Sequence, residues 1–236
     1  MNYKDKVVII TGGTKGIGEG CVRVFADAGA KIVFCARKRD EGDKLANELN
    51  SLGKGEAFFV KCDVSKFDEI ENLISQTIEK YGKIDCLINN AGWHPPHKPI
   101  DKFSIKEFQD LLNLNLVSIF AACKFALPYL RKTKGNIINM SSLVGSMGQM
   151  HAVTYVATKG AITAFTKALA IDEAEFGVRV NSVSPGNIYT PLWQEAIDAS
   201  ENAEKTRRDG DAAQVRQRVP QRVPLVGSSA RAGAEP

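Results

Sequence analysis

No stretch of this sequence approaches the ~20 apolar residues that a membrane-spanning helix needs, so no membrane partner is expected. The opening residues, MNYKDKVVIITGG, show no signal-peptide pattern, because they run straight into a strand and a glycine turn. Cysteine is sparse and unpaired in pattern. Cys21, Cys35, Cys62, Cys86 and Cys123 are odd in number, contain no C-x-x-C, and mostly fall inside apolar runs. That excludes a disulfide framework and reads as reduced, packed thiols in a cytoplasmic compartment. Histidine is scarcer still. His94 and His97 bracket Pro95-Pro96 on a stiff loop rather than a helix face, so no metal site is expected. A net charge of +4 is too small to argue for nucleic acid. What remains, 236 residues that are 44% hydrophobic, suits one sizeable α/β core.

The chain contains one spacing that points to chemistry. Tyr155 and Lys159 lie four apart in YVATKGAITAFTKALA, whose apolar positions recur at helical spacing. Residues four apart share a helix face. An ammonium beside a phenol favours the phenolate, which lets a tyrosine exchange protons near neutral pH. Thirteen residues earlier, Ser142 stands at the end of GNIINMSS, a strand pattern, where its hydroxyl can meet the same substrate oxygen. Taken alone, the pair reads equally as an ordinary tyrosine and a snorkelling lysine on a partly buried helix.

The surroundings favour chemistry. Lys6–Ile10 reads as a strand ending in Thr11-Gly12, and GGTKGIGEGCVRVFADAG follows with glycines at 12, 16 and 18 and then helical spacing. Strand, glycine turn and helix amino terminus together make an anion site of backbone N–H groups. Further strands are read at 31–35, 57–62, 84–88, 135–140 and 178–183. Helices are read at 40–52, at 65–81 with Ser65 as cap and Gly82 as stop, and at 104–131, where Pro128 suggests a kink or early end. This alternation predicts an α/β fold, a Rossmann-like doubly wound parallel sheet with helices on both faces. Gly12, Asp63, Asn90, Ser142 and Pro185 all fall where such strands end, and ligands bind there.

TGGTKGIG, Asp63-Val64, NNAG at 89–92, Asn115, Ser142, Tyr155-x-x-x-Lys159 and Pro185-Gly186 followed by Thr190 resemble the short-chain dehydrogenase/reductase family, in order and spacing, over roughly residues 4–195. The resemblance implies hydride transfer between a nicotinamide cofactor and an alcohol/carbonyl pair. It implies that Tyr155 is the acid/base, that Lys159 holds the nicotinamide ribose while favouring the phenolate, and that Ser142 positions the substrate oxygen. Asn115 would hold a water that links Lys159 to solvent; the competing reading is a polar side chain that satisfies a helix irregularity. Gly12, Lys15, Gly16, Ile17, Gly18, Asn90, Ala91 and Gly92 would cradle the cofactor, with Asp63 and Val64 at the adenine. Pro185, Gly186, Ile188 and Thr190 would meet the nicotinamide end. For Asn90, turn chemistry is the plainer account, and the two are compatible. His94 and Trp193 are candidate substrate residues. Trp93, Trp193, Leu143 and Met147 would give an apolar cavity for a small-molecule secondary alcohol or ketone such as a hydroxysteroid, or equally are ordinary packing, and His151 with Met147, Gln149 and Met150 could wall the pocket. The family is usually homo-oligomeric.

Two features depart from the family. Where relatives that use NAD carry an acidic residue for the ribose 2′-OH, this chain reads Cys35-Ala36-Arg37-Lys38-Arg39. Nothing at Ala36 repels a 2′-phosphate, Arg37 can pair with it, and Lys15 adds charge nearby. NADP(H) is therefore expected over NAD(H). From about Arg207 the chain turns into RRDGDAAQVRQRVPQRVPLVGSSARAGAEP, in place of a last helix and seventh strand. Residues 1–200 are read as the catalytic domain and 201–236 as an atypical, disordered tail. That tail raises the alternative of a truncated, non-catalytic isoform that binds cofactor weakly or pairs with a full-length relative.

Overall fold

The computed structural model describes residues 3–198, 200, 202–208 and 210. Six strands, β1 (Val7–Thr11), β2 (Lys31–Ala36), β3 (Glu56–Lys61), β4 (Cys86–Asn89), β5 (Asn136–Met140) and β6 (Arg179–Val183), form one sheet. Every pairing is parallel and the order is β3-β2-β1-β4-β5-β6. The order reverses between β1 and β4, which opens a crevice at their carboxyl ends.

Strand side chains alternate between two cores. Ile9, Val33, Val60, Leu87 and Ile137 face one, closed by helices α3 (Phe67–Tyr81), α5 (Ser118–Thr133) and α7 (Val153–Asp172). Val8, Ile10, Ile32, Phe34, Phe59 and Ile88 face the other, closed by α1 (Gly16–Asp27) and α2 (Arg39–Ser51). Both faces of the central strands are covered, as the alternation predicted. Among the described residues no helix covers the second face beyond β4, and Val183 there is 47% exposed. Of the expected disordered tail, 201–236, only 202–208 and 210 are described, and 203–208 are helical; the rest, with the expected loss of a last strand, lies outside the described residues.

Two helix boundaries differ from expectation. Ser65 does not cap α3: Lys66 holds the cap position, while the Ser65 hydroxyl donates to Asp63 Oδ1 at 2.8 Å. Gly82 does stop α3, in the left-handed conformation at φ 70°. Pro128 does not end its helix. Helix α4 (Ile105–Leu112) continues through a π turn (Asn113–Val117) into α5, which runs past Pro128 to Thr133. The cap is instead Ser104, which forms a reciprocal capping box with Glu107. This 29-residue stretch has a window of mean hydropathy 1.5, so by length and composition alone one helix does suffice to cross a membrane. Its apolar residues Ile119, Ala122, Ala126 and Leu130 are instead packed into the first core.

Candidate active site

The turn from β1 into α1 requires left-handed backbone at Gly12 (φ 67°) and Gly16 (φ 59°). A Cβ on Gly18 would stand 2.0 Å from the Gly12 carbonyl oxygen and 2.5 Å from the Asn90 amide nitrogen. Asn90 binds this turn to the end of β4. Its Nδ2 donates to the carbonyls of Thr11 at 2.9 Å and Gly12 at 3.0 Å. The backbone N–H groups of Asn90 and Ala91 both donate to Thr11 Oγ1, each at 3.0 Å. Turn chemistry therefore occupies the Asn90 amide N–H groups. Thr11 is a site-building residue that the sequence reading missed, although it carries the same signal as Ser142, a hydroxyl at the end of an apolar strand. Lys15, at the N-cap of α1, supplies no side-chain cap, so no side chain occupies the N–H groups ahead of Ile17. Such a terminus is suited to a phosphate.

The loop after β6 closes over this turn, since a Cβ on Gly16 would lie 3.4 Å from the Thr190 side chain. Pro185 accepts from Leu143 N at 3.1 Å, which places the 185–190 loop, with half-buried Gly186 and exposed Ile188, beside Ser142. At the other end of the crevice, Cys62 N donates to the Ala36 carbonyl at 3.0 Å. Asp63 there accepts from Ser65 N at 3.0 Å and from its hydroxyl at 2.8 Å. Partial burial works against its charge, but the Ser65 hydrogen bonds and the cations Arg37 and Lys66 hold the carboxyl below its usual range. The Val64 side chain is committed to the core. Arg37 is exposed at the end of β2. Lys15 points to Glu195 at 3.5 Å, so its charge is partly answered by α8 (Pro191–Asp198).

Three bonds dock α7 on the end of β5. Lys159 Nζ donates to Met140 O at 2.8 Å, the Ser141 hydroxyl donates to Lys159 O at 2.9 Å, and it lies 2.8 Å from Thr163 Oγ1. Helix α6 (Val144–Met147) rides close against α7, for a Cβ on Gly145 would meet Lys159 C at 2.8 Å. Ser142 is thereby brought near Tyr155, close enough for its hydroxyl to favour the phenolate. Burial pushes the Tyr155 phenol up, and the Ser142 hydroxyl only partly offsets that. Lys159 is 5% exposed, and burial lowers its ammonium to about 8. Its Nζ stands 5.5 Å from the centre of the Tyr155 ring and faces the Met140 carbonyl. The expected lowering of the phenol by Lys159 is therefore not met here, because desolvation outweighs a cation turned toward a backbone acceptor.

Asn115 sits on the π turn, 1% exposed, with its amide fully used. Its Oδ1 accepts from Trp93 N at 2.9 Å, and its Nδ2 donates to Trp93 O at 2.9 Å and Thr158 Oγ1 at 3.2 Å. None of these bonds goes to the helix irregularity of the competing reading: the side chain clamps the loop after β4 and meets α7. A Cβ on Gly92 would lie 3.2 Å from Asn115 Oδ1 and 3.7 Å from Lys159 Nζ, so this glycine keeps open the space before the lysine. The His94 ring stacks on Tyr155, centroids 4.1 Å apart at 44°. Its Nδ1 lies 2.7 Å from Pro95 O and its Nε2 lies 3.3 Å from Gln149 Oε1, and Gln149 was not singled out as a site residue in the sequence. Trp193 packs on Gly210, where a Cβ would stand 2.4 Å from the indole, and its N–H is buried without a partner among the described residues.

A glycine cradle at an uncapped helix terminus, continuous with a buried lysine, a tyrosine and a serine, defines an oxidoreductase of the dinucleotide-binding, doubly wound class. The chain belongs to the short-chain dehydrogenase family, whose profile matches residues 6–201. L-fucose dehydrogenase of Oryctolagus cuniculus is 47% identical over 212 residues, 90% of this chain and 73% of the relative. Levodione reductase superposes with a TM-score of 0.84 at 27% identity, covering 88% of this chain and 82% of that one. L-sorbose reductase from Gluconobacter frateurii, complexed with NADPH and L-sorbose, gives 0.81 at 28% identity, covering 93% and 82%. The protein is an NAD(P)-dependent oxidoreductase. The alternative of a non-catalytic isoform gains no support from these findings.

Proposed function

We propose that this enzyme oxidises a secondary hydroxyl of a small sugar or polyol, and reduces the corresponding carbonyl, with NADP(H) favoured over NAD(H). The observation that carries the reading is Tyr155 with buried Lys159 Nζ 5.5 Å from its ring centre and Ser142 nearby, where Gly92 keeps open the space before the lysine. The residues fit a nicotinamide cofactor: Gly18 lets α1 close against the Gly12 turn, Gly92 leaves the space before Lys159 open, and Lys159 has no acid partner among the described residues. When bound, that cofactor accepts or supplies the hydride. Tyr155 takes the proton of the substrate hydroxyl on oxidation and returns it on reduction. Ser142 orients the same oxygen, and Lys159 would hold the ribose hydroxyls of the bound cofactor. Ala36 places no carboxylate against a 2′-phosphate, and exposed Arg37 offers a cation there. The sugar reading rests on the L-fucose dehydrogenase relative.

A hydroxysteroid is the second reading. NNAGWHPPHKP, SSLVGSMGQ, YVATKGA and SPGNIYTPLW resemble 17-beta-hydroxysteroid dehydrogenase type 14, and exposed Trp93, Met147 and Met150 would suit an apolar substrate. The five free thiols favour a cytoplasmic site of action. The test is turnover of L-fucose and of a hydroxysteroid by wild type and Tyr155→Phe with each cofactor. The variant should lose several orders of magnitude in kcat while still binding cofactor; equal turnover removes Tyr155 from the mechanism.

A further inference from the structure

Nothing in the reaction as described uses Gln149, yet its amide meets the His94 ring, which the fold sets against Tyr155. The His94 ring is stacked on the phenol, centroids 4.1 Å apart, so a substrate carbinol held by Tyr155 lies within reach of that ring's edge. Nδ1 lies 2.7 Å from the Pro95 carbonyl, which can only accept, so Nδ1 carries a hydrogen. In the neutral ring Nε2 is then an acceptor. Its neighbour is the Gln149 amide at 3.3 Å, a long contact on an exposed side chain. An acceptor nitrogen pairs with the amide N–H₂, and the orientation of a Gln amide is assigned from such partners. The pair therefore offers an acceptor, Nε2, facing a donor, the Gln149 N–H₂. A hydroxyl is the group that donates once and accepts as well, and it can enter between them in place of the long contact. The two loops are tied together, since Lys98 N donates to His151 O at 2.9 Å, so their backbones are held while the exposed Gln149 side chain can swing to admit the hydroxyl.

We propose that His94 and Gln149 form a subsite that reads a second hydroxyl on the carbon next to the reacting carbinol, which makes vicinal diols and sugars the preferred substrates. This deepens the reading above and rests on it: Tyr155 must be the group that holds the reacting oxygen. A monohydroxylic alcohol leaves the pair closed and gains nothing from it. A steroid with a single hydroxyl likewise has no group to place there.

The test compares meso-2,3-butanediol with 2-butanol, which differ by the second hydroxyl, using the full chain with either oxidised cofactor. Wild type should favour the diol by about 10- to 100-fold in kcat/KM, the range for a partly exposed hydrogen-bonding pair. Gln149→Leu should collapse that ratio through a higher KM for the diol, with 2-butanol unchanged. His94→Phe keeps a ring against the phenol, loses Nε2, and should also collapse the ratio, read against that variant's own rate on 2-butanol. Gln149→Asn, which retains the amide on a shorter arm, should recover part of the preference. A ratio unchanged in both Gln149→Leu and His94→Phe overturns the subsite. If wild type turns over neither alcohol, or Tyr155→Phe matches it, the dehydrogenase reading of Tyr155 fails instead, and the inference with it.

Discussion

Lys159 is the residue at which stability and function oppose each other. Its ammonium is buried with one carbonyl partner, and its fall from the ordinary 10.5 to about 8 corresponds to about 3 kcal/mol of burial cost at neutral pH. Between pH 8 and 10.5 the unfolded chain binds the proton that the folded chain has released, so stability rises with pH through that window. Below 8 both states are protonated and the penalty is constant. Lys159→Met removes the charge and leaves only the Met140 carbonyl unpaired, so it should stabilise the protein by about 1–2 kcal/mol at pH 7. Thermal melts should show the variant ahead at pH 7 and the gap closing by pH 10, with activity lost throughout. A variant that melts below wild type at pH 7 would show that Lys159 is held by more than its one bond. Gly18 poses a different constraint, because a Cβ there meets backbone, not a movable side chain. Gly18→Ala should displace the turn, weakening cofactor affinity at least tenfold in a fluorescence titration.

At the scale of elements, the helices that carry the site are pinned at the end remote from it. Arg131, in the last turn of α5, meets Glu173 after α7 through two bonds of 2.8 and 2.6 Å, and Glu173 is almost completely buried. Arg131→Met should lower the denaturant midpoint, since it strands a buried carboxylate. Adding Glu173→Gln should recover part of that, and a denaturant double-mutant cycle measures how much. Strand and helix existence was legible because both faces of the central strands are apolar and the helices show period-3.6 stripes. The π turn was not legible, because Asn113–Val117 keeps helical spacing and only the tertiary partner, Trp93, reveals why Asn115 is there. Pro128 misled for a related reason: an interior proline weakens a helix, but here the packing of Ala126 and Leu130 outweighs the lost bond. Gln149 was legible only as part of a segment that could wall a pocket, because nothing in the spacing shows that it meets His94. Tyr155, Lys159 and Ser142 were readable because their spacing is itself the geometry.

Across the whole molecule, the crevice exists because the sheet reverses order between β1 and β4, and its walls are loops from separate halves of the chain. Asn90 and Thr11 stitch the first half to the second at the glycine turn, and Lys15 reaches Glu195 from one wall to the other. A dinucleotide that spans the crevice would bind the folded state alone, so its affinity becomes stability. At a hundredfold excess over Kd that is about 2.7 kcal/mol, or roughly 5–10 °C in Tm for a domain of this size. The 2′ end decides between cofactors. One charge-assisted contact from Arg37 favours NADPH by about 1.5–3 kcal/mol before screening, while Lys15 adds less than its charge suggests because Glu195 answers it. At equal concentration and low salt, NADPH should therefore raise Tm by a few degrees more than NADH, and the difference should shrink as salt rises. Ala36→Asp with Arg37→Ala should reverse the order, since the new carboxylate accepts from a free 2′-OH and repels a phosphate. Equal shifts for the two cofactors in wild type at low salt would reduce Cys35–Arg39 to a solvated basic corner, with the nicotinamide end of the crevice unaffected.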